Sequence, residues 1–135
     1  MITGVDTSVL IDVFRDDPDR GRLAADVLRR CIRDGRLVAC DIVWAELAGF
    51  FPSQDLLDVA MSRLDIGFLP MERSAALCAG AMWRKYRAQG GKRERIIADF
   101  LIAAHARVQC DRLLTRDRGF CRDYFKDLTV IDPSV

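Results

Sequence analysis

Histidine and lysine are scarce in this chain, paired cysteines are absent, and each shortage removes a class of explanation. Among 135 residues there is one histidine, His105, and no two of the five cysteines, Cys31, Cys40, Cys78, Cys110 and Cys121, stand in a C-x-x-C pair. That supply argues against a zinc centre of nitrogen and sulfur ligands. An odd number of widely spaced cysteines argues equally against a disulfide framework. No apolar run approaches the ~18 residues of a spanning helix, and the first residues lack the zones of a signal peptide, so the expectation is a cytoplasmic protein with no membrane association. Net charge is only +1, so no overall field of one sign announces a nucleic-acid partner. Lys85, Lys92 and Lys126 are the only lysines. Nearly all the positive charge is therefore arginine, the better fork for phosphate oxygens, although codon bias would account for it as well.

What is present suits a globular chain: 50% hydrophobic and 30% charged residues, without repeats, low-complexity tracts or a composition break. A single domain spanning 1–135 is expected, large enough to bury a core. "ITGV" followed by "DTSVLIDVF" predicts a strand, a turn with a Thr or Ser cap, and a helix. "DPDRGRLAADVLRRCIRDG" predicts a helix with Pro18 near its start and Gly35 past its end, leading into a strand "RLVAC". "DIVWAELAGFF" predicts a helix capped by Asp41 and stopped before Pro52; "SQDLLDVAMSRLD" a further helix; "IGFLP" a short strand. Helical spacing runs from Ser74 to Gln89, breaks at Gly90 and Gly91, and resumes through "KRERIIADFLIAAHARVQC". "RLLT", a short helix near "RGFCRDYF", and "LTVI" complete the chain. Strands alternating with helices predict an α/β fold with a mainly parallel central sheet covered on both faces.

Four carboxylates stand out against this framework. Asp6 and Asp117 each follow a predicted strand, and open parallel sheets gather ligands beyond their carboxyl ends. Taken singly, an aspartate there is as readily a turn or cap residue. Glu46 has Ile42, Val43, Gly49 and Phe50 as its neighbours one helical turn away, an apolar setting. If buried it needs a partner, whether an arginine or a bound cation. Asp99 shares a face with Ile102, Ala103, Ala106 and Cys110, although a carboxylate in the first turns of a helix is also favoured by the macrodipole. Four such groups brought into one crevice would repel by about 1 kcal/mol per pair even with bulk-water screening at about 4 Å. Hard divalent cations bound by oxygen relieve that repulsion, and Mg²⁺ or Mn²⁺ is the natural choice.

"VDTSVLIDVF", the Glu46 of "IVWAELAGF", "IADFLIAAHA" and "LLTRDRGF", in this order over nearly the whole chain, resemble the successive motifs of PIN-domain ribonucleases, in particular VapC-type toxins of bacterial toxin–antitoxin pairs. The resemblance implies a three-layer α/β/α PIN-like domain with an acidic pocket for one or two Mg²⁺ or Mn²⁺ ions. By motif, Asp6, Glu46, Asp99 and Asp117 take the metal-binding, catalytic positions. Thr115 and either Thr7 or Ser8 would supply supporting hydroxyls or orient water. Some relatives carry a further acid two positions after the last aspartate, where this chain has Gly119.

The chemistry implied is hydrolysis of RNA by metal-activated water, leaving 5′-phosphate and 3′-hydroxyl ends. It needs no side-chain nucleophile, and His105 is expected to face the surface or to pack. "WRKYRAQGGKRER" clusters Arg84, Lys85, Arg87, Lys92, Arg93 and Arg95, with Trp83 and Tyr86 interleaved. With Arg116 and Arg118 these residues would form a positive rim for single-stranded or looped RNA, or else simply a solvated helix face. The resemblance further implies a VapB-type antitoxin lying in the groove, and a homodimer. Leu56, Leu57, Val59, Ala60 and Leu64 would offer a surface for it unless they pack in the core. Alternatives are a receiver-like Mg²⁺-binding module, an inactive PIN-like interaction domain, and hydrolysis of DNA or a small phosphoester. A receiver would need paired acids after the first strand, and Asp6 stands alone.

Overall fold

A computed structural model describes residues 1–91 and 96–134. The elements run β1 (Ile2–Val5), α1 (Thr7–Phe14), α2 (Arg20–Asp34), β2 (Arg36–Ala39), α3 (Asp41–Phe50), α4 (Gln54–Arg63), β3 (Ile66–Phe68), α5 (Arg73–Ala88), α6 (Ile97–Gln109), β4 (Arg112–Leu114), α7 (Arg118–Tyr124) and β5 (Val130–Ile131). The strands form one all-parallel sheet in the order β3-β2-β1-β4-β5. Thr3, Gly4 and Val5 of β1 and Leu37, Val38 and Ala39 of β2 are all buried, as a sheet covered by helices on both faces requires. The α/β/α expectation holds.

Sequence order reverses at β1. The chain runs from β1 outward through β2 to β3, then returns to lay β4 on the other side of β1. The crevice beyond the carboxyl ends of β1 and β4 is thus the topological switch point, where such sheets bind ligands. Register sharpens the junction, because Asp6 N donates to Leu114 O at 3.0 Å and carries the β1–β4 ladder one residue past the end of β1.

The helices differ from the sequence reading in their ends. Ser53 caps α4, its Oγ accepting from Leu56 N at 3.2 Å. Asp41 is the first residue of α3 rather than its cap; its Oδ1 accepts from Met71 N at 3.2 Å and ties down the loop after β3. Helix α6 begins at Ile97; the expected resumption of the helix at Lys92 lies outside the described residues. Gly35 ends α2 for reasons of space: a Cβ there would lie 1.9 Å from Met1 O, the carbonyl that accepts from Arg36 N at 2.9 Å.

Phe100 on α6 is fully buried and sits among Trp83, Tyr86, Phe120, Tyr124 and Phe125, with ring centroids 4.9 to 6.4 Å away. This aromatic core anchors the carboxyl half, so α6, which carries Asp99, is held from behind. The five cysteines are free thiols, as expected. Burial pushes the Cys110 thiol up to about 12, so it stays protonated and inert. Among the described residues no helix is long and apolar enough to cross a membrane.

Candidate active site

At the switch point Asp6, Thr7, Ser8, Ile11, Glu46, Asp99, Ile102, Arg116 and Asp117 line an open cleft of about 450 Å³. All four carboxylates expected to act together are on its wall. Each arrives from a different element: Asp6 from the end of β1, Glu46 from α3, Asp99 from the first turn of α6, Asp117 from the loop between β4 and α7.

Thr115 joins the two strand-end aspartates. It is buried, its Oγ1 donates to Asp6 Oδ2 at 2.7 Å, and the same oxygen accepts from Asp117 N at 3.0 Å. One hydroxyl thereby fixes the orientation of the Asp6 carboxylate and the backbone on which Asp117 sits. Asp6 occupies the position that precedes α1 but makes no side-chain capping bond. The expected Thr cap is likewise not a cap: Thr7 is the first helical residue, and its Oγ1 donates to Glu46 Oε1 at 2.7 Å. Ser8 lines the cleft beside it. Asp99 has two engagements, since Oδ2 accepts from Ile96 N at 3.1 Å at the start of α6 while the side chain borders the cleft. The helix-end role and the pocket role are both realised.

Electrostatics support the grouping. The Asp6 carboxyl is held above its ordinary range, first because burial strips it of water and then because the charges of Asp99 and Glu46 lie near it; the bond from Thr115 opposes this. Glu46 corrects an expectation. It is exposed, as are Ala45, Ala48, Gly49 and Phe50, because only Val43 and Leu47 of α3 reach the core. Of the neighbours seen in the sequence, Gly49 and Phe50 are surface, Ile42 is half-buried and Val43 is core, and Glu46 is held by Thr7 at the cleft mouth.

An acid the sequence reading missed lies behind the wall. Asp12 of α1 is buried, and its Oδ2 sits 2.8 Å from Arg116 Nε, with Oδ1 3.4 Å from Nη2. Its signal was present in "LIDVF", a charge inside an apolar helical stretch. The remaining described positive-rim residues do not line the cleft. Arg84, Lys85 and Arg87 are exposed near the end of α5, and Arg118 is exposed at the start of α7. Lys92, Arg93 and Arg95 lie outside the described residues. Trp83 and Tyr86 are not free stacking platforms, because they stack on each other at 5.9 Å and pack against Phe100. His105 packs as well, buried in α6 and away from the cleft.

Among the described residues no three His, Cys, Asp or Glu side chains close around a common point as a preformed metal cage. The cleft nonetheless suits a hard cation. Its donors are all oxygens, its most buried carboxyl is burdened by like charges, and Mg²⁺ is held through one or two carboxylates while keeping several of its waters.

A PIN-domain family model matches residues 4–126. No curated protein matches the sequence. Among solved structures, the chain is similar to VapBC2 from Rickettsia felis bound to a fragment of promoter DNA, at 19% identity and TM-score 0.76 with 98% of each chain covered. It is similar to VapBC-1 from nontypeable Haemophilus influenzae at 22% identity and TM-score 0.75, with 100% of each covered. It is also similar to FitAcB from Neisseria gonorrhoeae, at 26% identity and TM-score 0.67 with 99% of each covered.

Proposed function

Because the chain belongs to the PIN-domain family, we propose that it is a metal-dependent endoribonuclease and the toxin of a VapBC-type toxin–antitoxin pair, acting in the cytoplasm. The observation that carries this reading is the meeting of Asp6, Glu46, Asp99 and Asp117 on one cleft at the switch point of the sheet. The family match argues against a receiver-like module, as does the single acid after β1.

Asp6, Glu46, Asp99 and Asp117 would hold one or two Mg²⁺ or Mn²⁺ ions, which supply a water acidified for attack on phosphorus and a positive charge beside the leaving oxygen. The chain's own work is positioning. Thr115 keeps the Asp6 carboxylate turned and unprotonated on its bonded oxygen, and Thr7 restrains the otherwise mobile Glu46 side chain. Single-stranded or looped RNA is the expected substrate, because a flexible backbone can enter a cleft that a duplex cannot, and the exposed arginines and lysine of α5 and α7 would engage the phosphates flanking it.

Ala45, Ala48, Gly49 and Phe50, on the same helix as Glu46, are exposed and present an apolar surface. They would receive the tail of a VapB-type antitoxin, which could offer an arginine to the acids in place of metal. On α4, Leu57 is core while Leu56 and Val59 are about half exposed; this face would serve a homodimer.

The test is cleavage of a mixed panel of structured and unstructured RNAs with Mn²⁺, with Mg²⁺ and with chelator. Wild type is expected to cut only with metal, and Asp99→Asn to cut at least ~100-fold more slowly, the worth of ~3 kcal/mol at the transition state. A wild type that neither cuts RNA nor binds Mn²⁺ by calorimetry would overturn the reading.

A further inference from the structure

The ribonuclease reading leaves one feature of the cleft without a role: a buried carboxylate, Asp12, spent on the only cation that lines the acidic wall among the described residues. Arg116 stands directly before Asp117, in the same loop as Thr115, and lines the same cleft as Asp6, Glu46, Asp99 and Asp117. Left to itself, an arginine on a long flexible stem would swing onto those acids and occupy the place of a divalent ion. Asp12 engages the guanidinium from the other side. It reaches Arg116 from the helix that begins at Thr7, with contacts of 2.8 Å from Nε and 3.4 Å from Nη2. The Nε contact is short but poorly aligned for a hydrogen bond, so the hold is chiefly one of charge. About a third of the Arg116 side chain stays exposed against 11% of that of Asp12. The pair is therefore buried at its carboxylate end and open at its cationic end, toward the cleft.

The geometry points to Asp12 as a positioning residue that holds Arg116 on the cleft wall as a phosphate-binding group, clear of the metal-binding carboxylates. The inference rests on the ribonuclease reading for the identity of the phosphate, an RNA backbone, but its metal arm stands independently. Asp12 touches neither substrate nor metal in this scheme. Its effect passes through Arg116, so the two residues must be tested together.

The experiment is a double-mutant cycle of wild type, Asp12→Asn, Arg116→Ala and the double variant. Each is assayed for binding of a fluorescein-labelled single-stranded RNA of mixed sequence in Ca²⁺, and separately for Mn²⁺ binding by calorimetry. Removing a negative charge near the cleft would, as a field effect alone, tighten binding of a polyanion. The inference requires the opposite. Asp12→Asn should weaken RNA binding about 5-fold or more with Arg116 present and change it less than 2-fold in the Arg116→Ala background. Arg116→Ala alone should weaken RNA binding and reduce the slope of log K against log salt by about 0.7. Mn²⁺ affinity should fall several-fold in Asp12→Asn and recover when Arg116 is also removed.

Equal effects of Asp12→Asn in both backgrounds, or tighter RNA binding, would overturn the inference and leave Asp12 a structural residue. Melting curves of all four proteins separate loss of fold from loss of positioning, because a loss of binding caused by positioning appears without a matching fall in melting temperature. A wild type that binds Mn²⁺ with this dependence on Arg116 yet neither binds nor cuts RNA would sink the ribonuclease reading while sustaining the placement of Arg116.

Discussion

At the scale of single residues, the cleft is made of groups that are poorly placed for stability. Asp6 shows the cost most directly, since burial and the charges of Asp99 and Glu46 raise its pKa above the ordinary 3.8. A raised folded-state value means that the protonated form favours folding. The associated stability is complete below the unfolded pKa and is lost as pH rises through the folded one. Above that folded value the ionised Asp6 therefore opposes folding, and Asp6→Asn should raise the melting temperature of the metal-free protein, each kcal/mol being worth about 4 °C in a chain of this size. A thermal melt in chelator at pH 7.5 checks this; an unchanged or lower temperature would mean that the Thr115 bond outweighs the desolvation. All four acids were legible because a carboxylate after a strand or within an apolar helix is conspicuous. Their partners were less so. The exposure of Glu46 and the burial of Asp12 are set by how α1 and α3 pack, and a helical pattern records which residues share a face without recording whether that face is covered.

At the scale of elements, helix existence was readable from periodicity while helix ends were not. Asp41 and Thr7 have the chemistry of caps, yet both side chains are drawn off by tertiary partners, Met71 N and Glu46 Oε1. The loop from Leu69 to Glu72 shows what such partners achieve. Asp41 binds Met71 N, Gln109 binds Pro70 O and Glu72 N at 3.0 and 2.9 Å, and the His105 ring bonds the Leu69 carbonyl from within α6. His105 is buried, and loss of hydration holds its pKa below 6.5 despite the charges of Asp41 and Glu72, which act in the other direction. The folded protein thus refuses a proton that the unfolded chain accepts. Stability is undiminished above about pH 6.5 and falls as pH drops below it, by at most ~1.4 kcal/mol per pH unit for this one site. Urea midpoints at pH 7.5 and 5.5 should show a loss for wild type and a smaller one for His105→Asn, whose side chain does not titrate. Equal losses would place the pH response elsewhere. Keeping above pH 5 leaves most carboxylates out of the comparison.

At the scale of the whole molecule, the order of strands decides why these residues meet. Alternating strands and helices predicted a parallel sheet, but the neighbour relation of β1 and β4, residues 2–5 and 112–114, is a long-range fact that no local pattern contains. The family resemblance reached it indirectly, by implying one pocket for Asp6 and Asp117. A cation bridging groups from β1, α3, α6 and the β4–α7 loop would tie together segments far apart in sequence, and binding only the folded state must stabilise all of it. At 100 times its dissociation constant such a ligand adds ~2.7 kcal/mol, or about 10 °C at ~4 °C per kcal/mol for this size. Mn²⁺ should therefore raise the melting temperature of wild type well outside error, with chelator reversing the shift. In Asp6→Asn and Asp99→Asn the shift should shrink to a few degrees at the same concentration. The metal-free variants provide the contrast, because neutralising Asp6 raises the baseline while lowering the gain. A cleft that served only a protein partner's arginine would keep the higher baseline and show no gain from Mn²⁺ in any of the three proteins.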